Sequence, residues 1–326
     1  MNKIKEFHLF AGIGGGIYGG KLLGHKCCGS VEIDNFCNAI LKQRQMDGWL
    51  EPFEIYGDIL KINGKDFIGK FDILCGGFPC QAFSHAAHGK NIIEKNLWSE
   101  MLRFIIESEA PIVFGENVTS KAINSAKVDL ENRGYKVQKC KVSCGEIGGD
   151  HRRDRYWLLA VKDDSIFKTI VKHSLSLPKL KANCWTIKID NSIEKTPITN
   201  KRAQLKALGN AQSPFAAATA FRILVNRHLN NINYPEIVSS DEIGSVFEIQ
   251  TSWIKSTYGN NFGYVHTPTT MANYAAPSMM KHQGCRNFVT VFGKPTPANA
   301  EYLMGFPKGA STLSPMSKEN YYRWNK

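Results

Sequence analysis

Short apolar runs alternate with amphipathic segments through the first half of this chain. That alternation restricts the fold to a largely parallel sheet wrapped by helices. Phe7–Phe10, Lys26–Glu32, Phe71–Cys75, Ile112–Glu116, Tyr135–Val142 and Tyr156–Val161 read as strands, and Gly16–Leu23, Asn35–Met46 and Leu97–Ser108 as helices. The last two strands are joined by Ser143–Arg155, too short for a crossover helix, so they are predicted to pair antiparallel. From Lys162 to about Thr199 the pattern dissolves, and it returns in Lys201–Leu208 and the alanine-rich Phe215–Leu229. Residues 230–326 are rich in Asn, Gly, Ser, Thr and Pro, with interleaved aromatics. The expected organisation is an α/β domain over 1–161 and 200–229, with a smaller domain built from 162–199 and 230–326.

A chain of 326 residues with 43% hydrophobic and 21% charged residues can bury a full core. No apolar run is long enough to span a membrane, and the N-terminus Met1–Glu6 has no apolar signal region. Nine cysteines without paired spacing fit a reducing compartment, so a cytoplasmic location is expected. The net charge of +12 points to a polyanionic partner. Residues 229–326 carry eight Lys/Arg against six Asp/Glu, so nearly all of the basic excess lies in residues 1–228.

Two loops carry the chemistry. Phe10-Ala11-Gly12-Ile13-Gly14-Gly15-Gly16 follows a strand and opens a helix, where glycines let backbone N–H groups approach a ligand closely. The pattern G-x-G-G-G differs from the dinucleotide fingerprint G-x-G-x-x-G. Glu32, about 18 residues beyond Gly14, closes the second strand, where a ribose-binding acid is expected. The second loop is Gly77-Phe78-Pro79-Cys80-Gln81-Ala82-Phe83-Ser84. It leaves the strand Phe71–Cys75 at the end where open α/β sheets place their chemistry. Pro79 stiffens the approach to Cys80, while Gly76 and Gly77 allow a sharp turn. A rigid perch and partial exposure suit a nucleophilic thiol; a buried, inert cysteine is the competing reading.

The GFPCQAFS block resembles the catalytic motif of the C5-cytosine-specific DNA methyltransferases, and further motifs of that family follow in order. Phe10–Gly16 is similar to the first motif, Gly115-Glu116-Asn117-Val118 to the ENV motif, and Leu208-Gly209-Asn210-Ala211 to the last. His151-Arg152-Arg153-Asp154-Arg155 resembles the Q-x-R-x-R element with His151 in place of glutamine. Glu301-Tyr302-Leu303-Met304-Gly305-Phe306-Pro307 resembles a segment of phage-like and restriction-associated members.

The resemblance implies a Rossmann-like class I S-adenosylmethionine-dependent methyltransferase fold with an antiparallel edge hairpin and a smaller DNA-recognition domain. It implies a DNA (cytosine-5-)-methyltransferase that flips a cytosine out of duplex DNA and attacks its C6 with Cys80. Glu116 would hold the N3/N4 edge of the base and offer N3 a proton, which requires a raised carboxyl pKa. Arg155 would contact O2 and Arg153 would support the site, the two side chains being expected on opposite faces of a strand start. The cofactor S-adenosyl-L-methionine would be bound by Phe10, Gly12, Gly14, Gly15, Glu32, Ile33, Asp58, Ile59, Pro79, Asn210 and Ala211.

Ile33 stands where the family usually has an aromatic, and His151 is expected to donate and accept in place of the usual amide. No metal is expected, because Cys75, Cys80, His85, His88, Cys140 and Cys144 lack metal-ligand spacing. The residues Ser84, His85, His88, Gly89 and Lys90 suggest a loop that closes on the substrate. Double-stranded DNA is the expected partner, with no membrane, a cognate restriction endonuclease as a further partner, and a monomer in catalysis. The alternatives are an RNA cytosine-C5 methyltransferase of the same fold, whose Cys-Phe-Thr element is not found here, and a catalytically silent DNA-binding homologue. Trp253, Tyr258, Phe262, Tyr264 and Tyr274 suit groove contacts or the core of a small domain.

Overall fold

The structure, a computed structural model, describes residues 3–79, 97–176, 200–231, 265, 268 and 276–325. Seven strands form one sheet: β1 (Lys5–Leu9), β2 (Lys26–Val31), β3 (Glu54–Tyr56), β4 (Ile73–Gly77), β5 (Ile112–Asn117), β6 (Lys136–Ser143) and β7 (Asp154–Val161). Their spatial order is β3-β2-β1-β4-β5-β7-β6. The pairs among β1–β5 are parallel, while β7 runs antiparallel to both β5 and β6. The predicted edge hairpin is therefore present. The strand order reverses between β1 and β4, and both loops singled out in the sequence leave the sheet at this switch point, where ligands bind in such folds.

Alternation along the strands sends side chains to two core layers. Phe7 and Leu9 of β1 join Leu74, Val113, Leu158 and the helix α3 (Trp98–Glu107) on one face. On the other face, α1 (Gly15–Leu22) and α7 (Pro214–Asn231) cover Ile73, Phe114, Trp157 and Leu159. Glu6 and His8 of β1 also face this second layer and are buried there. The Glu6 carboxylate hydrogen-bonds His8 Nε2 at 2.9 Å and His25 Nδ1 at 2.6 Å. Burial opposes its charge, but the two imidazoles hold its pKa down at about 2. Gly20 of α1 makes room for it, since a Cβ there would lie 1.9 Å from Glu6 Oε2.

One helix matches the sequence reading and two depart from it. Asn35–Met46 is α2, with the predicted bounds. Ser120–Glu131 forms α4, which strand-centred reading passed over although Thr119 caps it by accepting from Ala122 N at 3.2 Å. The stretch from Lys162 is not irregular throughout: Asp164–Leu175 forms α5, capped by Asp163. Phe167, Ile170, Val171 and Ser174 of α5 are fully buried, an i, i+3, i+4, i+7 stripe diluted by the lysines between them.

The far end of the chain returns to the layer of α1 and α7. Ala300, Met304, Phe306, Ala310, Met316 and Trp324 share a core with α1, α2 and α7. Tyr18 of α1 meets Phe306 and Trp324 edge-on, at centroid distances of 5.7 and 5.6 Å. Arg44 of α2 has no exposure; its guanidinium donates to the carbonyls of Gly309 (2.7 Å), Thr312 (3.1 Å) and Ser314 (2.6 Å) and pairs with Asp47 at 3.0 Å. Residues 300–324, expected in the smaller domain, thus share the core of the α/β domain. Residues Gln283–Phe292 instead pack with Val265 and Leu303 in a small separate cluster. Arg44→Ala removes the cation paired with the buried Asp47 carboxylate and the donor to three tail carbonyls; urea denaturation is expected to show a loss of about 3–5 kcal/mol in unfolding free energy. A loss below about 1 kcal/mol would mean the tail is not anchored there.

Candidate active site

The first glycine-rich turn sits over the C-terminal end of β1. Phe10, Gly12 and Gly14 all have positive φ, at 55°, 56° and 89°, so the chain doubles back before α1 begins. Glu32, at the end of β2, clamps this turn: Oε2 accepts from Gly12 N at 2.6 Å and Oε1 from Asp34 N at 2.8 Å. A carboxylate has about four lone-pair positions, so each oxygen retains capacity for a ligand hydroxyl. Ile33 beside it is 72% exposed and Leu60 is 64% exposed, two bare apolar side chains near the rim of the same sheet end. Asp58 caps the turn that begins at Ile59, accepting from Leu60 N at 3.0 Å. The Ile59 side chain points into the core at 5% exposure, so any ligand contact it makes is through its backbone. Two amide-clamped or turn-capping carboxylates and a bare apolar rim fit an adenosine-like group, and an α1 N-terminus without acidic residues fits an anionic group of the same ligand.

The second loop leaves β4 beside Glu116. Gly77 is paired in register with Glu116 of β5, and a Cβ on Gly77 would lie 2.8 Å from Glu116 Oε2. Asn117, the next residue of the ENV element, donates from Nδ2 to the carbonyl of Phe78 at 3.0 Å. Phe78 is buried against Trp98, with ring centroids 4.9 Å apart. These contacts fix the chain up to Pro79. Cys80 and the residues Gln81–Asn96, including Ser84, His85, His88, Gly89 and Lys90, lie outside the described residues.

Glu116 is 9% exposed. Its Oε1 lies 3.2 Å from Arg155 Nε, and its Oε2 accepts from Gln212 Nε2 at 3.3 Å. Burial raises its pKa above the ordinary carboxyl value, against the opposing pull of Arg155, Arg153 and Gln212. The carboxyl is thereby displaced toward the range in which it can give up a proton at neutral pH. The expectation that Arg153 and Arg155 face opposite sides is corrected. Residues two apart in a strand share a face, and both cations act on Glu116.

Arg153 precedes β7 and is buried; its guanidinium donates to Gly209 O (3.0 Å), Ala211 O (2.9 Å) and Pro268 O (3.3 Å). It binds the last motif and the tail to the site rather than presenting itself to a base. Gly209 and Asn210 end α6 (Lys201–Asn210), Ala211 is buried and Asn210 is exposed. The backbone of the following residue lies against the first turn, since a Cβ on Gly15 would fall 2.1 Å from Gln212 O. His151 has no exposure and bridges to Val265, but neither ring nitrogen has a hydrogen-bond partner. The expected replacement of an amide's hydrogen bonds is therefore absent among the described residues. Gln212 and Asn117 were missed by sequence reading, although each directly adjoins a residue that it singled out.

Cys140 and Cys144 are buried free thiols of the β6 region. Trp253, Tyr258, Phe262, Tyr264 and Tyr274 lie outside the described residues. No helix among the described residues is long and apolar enough to cross a membrane.

The strand order, the antiparallel β7 and paired loops at the switch point define a Rossmann-like α/β fold of the methyltransferase kind. Residues 4–310 match the family model described as C-5 cytosine-specific DNA methylase, and the chain belongs to that family. It is 33% identical over 172 residues to the Type II methyltransferase M.MspI of Moraxella sp, covering 50% of this chain and 40% of that protein. It is 39% identical over 171 residues to the Type II methyltransferase M.HpaII of Haemophilus parainfluenzae, covering 48% and 46%. The matched stretch thus spans less than half the length of these curated relatives. The crystal structure of a variant of DNMT2 from Spodoptera frugiperda aligns over 99% of this chain and 95% of that one, with a TM-score of 0.51 and 15% identity, a likeness of fold alone.

His151 yields a pH test. Burial, reinforced by the charges of Arg153 and Arg155, lowers its pKa to about 3, so the folded protein holds it neutral. Below about pH 6.5 the unfolded chain takes up a proton that the folded chain refuses, and stability falls by about 1.4 kcal/mol per pH unit. Denaturation at several pH values should show His151→Gln losing about 2 kcal/mol less than the native protein between about pH 6.5 and 5. Equal slopes in the two proteins would contradict a neutral, buried His151.

Proposed function

We propose that this chain is a DNA (cytosine-5-)-methyltransferase that uses S-adenosyl-L-methionine and duplex DNA. The observation that carries the reading is a buried carboxyl with a raised pKa, Glu116, paired in register with the strand end from which the Cys80 loop departs. C5 of cytosine is a poor nucleophile. Bonding of the Cys80 sulfur to C6, with Glu116 delivering a proton to N3, turns the ring into an enamine whose C5 is electron-rich. Arg155 pairs through Nε with Glu116 Oε1 and donates from Nη1 to the Asp154 carbonyl, and its Nη2 donors would serve the base oxygen O2. When bound, S-adenosylmethionine supplies an electrophilic methyl group. Loss of the C5 proton to a base or water then expels Cys80 as the thiolate, and return of the N3 proton to Glu116 leaves the neutral aromatic ring.

Gly12, Gly14, Gly15 and Phe10 would cradle the cofactor, Glu32 would take its ribose hydroxyls and Asp58 its adenine amino group. Ile33 would pack on the adenine, with Pro79, Asn210 and Ala211 closing the site. The target nucleotide must leave the duplex, at a cost of a few kcal/mol. The basic excess within residues 1–228 supplies the attraction to the phosphates. We assign sequence reading to the smaller domain, narrowed to about 177–199 and 232–296, because α5 and residues 300–324 belong to the catalytic core.

Cys80→Ser should abolish methyl transfer while leaving cofactor affinity unchanged. DNA carrying 5-fluorocytosine, which cannot lose a C5 proton, should form a covalent complex with the native protein only. Methylation by the serine variant would remove Cys80 from its role. In the other half of the site, Glu32→Gln and Asp58→Asn should each weaken cofactor binding by roughly tenfold or more in calorimetry, the size of a lost hydrogen bond to a charged group. Native affinity in both variants would place the cofactor elsewhere.

A further inference from the structure

Gln212 follows the last motif directly, and its side chain reaches the catalytic carboxyl. Its Nε2 donates to Glu116 Oε2 at 3.3 Å, the oxygen that Arg155 does not hold. Two glycines on different elements clear the space for it. A Cβ on Gly77 of β4 would lie 2.7 Å from Gln212 Nε2, and one on Gly16 of α1 would lie 2.7 Å from Gln212 Oε1. The backbone beneath it is fixed, because Arg153 holds the Ala211 carbonyl and Gly15 packs against Gln212 O. Beside the amide is a cavity of about 10 Å³ lined by Gln212, Gly16, His8 and Cys75 among others. That is about the volume of one water.

We propose that Gln212 is a positioning residue for Glu116, whose amide satisfies the second carboxyl oxygen in both of its protonation states. A guanidinium can only donate, so Arg155 keeps Oε1 free of a proton and directs protonation to Oε2. When Glu116 is ionised, the Gln212 amide donates N–H to Oε2, as the structure shows. When Glu116 is protonated, the amide turns and its carbonyl accepts the Oε2–H, until the base N3 takes that proton. A glutamine amide offers both a donor and an acceptor and carries no charge at any pH of the titration. The role of Glu116 as proton donor is taken from the proposed function; the contact with Gln212 does not depend on it.

The test is the titration of Glu116 in the full-length, ligand-free protein, followed by the infrared band of its protonated carboxyl and assigned by its disappearance in Glu116→Gln. Gln212→Leu removes a charge-assisted hydrogen bond from the ionised form and a weaker neutral one from the protonated form, so the midpoint should move to higher pH by about one unit, the difference between the two losses. Gln212→Glu, nearly identical in shape, should move it upward further, because two adjacent carboxyls share one proton. The pH profile of covalent complex formation with 5-fluorocytosine DNA should shift in the same direction, with cofactor affinity unchanged. A midpoint unmoved in either folded variant overturns the proposal. A midpoint shifted in the two variants, together with a native protein that forms no covalent complex, upholds the role of Gln212 and removes the methyltransferase reading instead.

Discussion

A carboxyl buried at the end of β5 is the constraint around which the rest of this site is arranged. An isolated ionised carboxylate in such a place would cost several kcal/mol, and an unpaired neutral one would still waste its hydrogen bonds. The fold answers with one cation on Oε1 and one amide on Oε2. Glu116 can therefore hold either charge state without a large rearrangement. Its pKa is raised because burial outweighs the two arginines and the amide together. β4, β5, β7 and the segment after α6 each contribute one part, so the carboxyl also depends on the sheet register.

Arg153 extends that dependence to the end of the chain. Its three carbonyl partners come from the last motif and from Pro268, and neighbouring Asp150 accepts from Val265 N at 3.0 Å and from Tyr302 Oη at 3.0 Å. Farther round the same layer, Arg44 grips the segment 309–314. The tail is thus coupled to the site by buried hydrogen bonds to two arginines. Disturbance of its docking should be felt at Arg153 before it is felt in the sheet.

Six of the seven strands were legible as short apolar or alternating runs, while β3 is only three residues long and was not among them, and Asn35–Met46 was legible because an Asp cap and an apolar stripe coincide. The loops of the site were legible because glycine and proline carry backbone meaning at Gly12, Gly14, Gly77 and Pro79. Helix α5 was obscured because lysines fill the faces between its four buried positions. Gln212 and the pairing of Arg44 with residues 309–314 were not legible, since they depend on contacts between segments far apart in sequence. The shared face of Arg153 and Arg155, by contrast, follows from local strand geometry and was misread.

The most direct test of the central claim is a base-resolution methylation map of unmethylated duplex DNA incubated with the full-length chain and S-adenosylmethionine. The account predicts 5-methylcytosine confined to one short sequence context, and none with Cys80→Ser. Unmodified cytosine throughout the DNA, or 5-methylcytosine found only in RNA offered alongside it, would contradict the account.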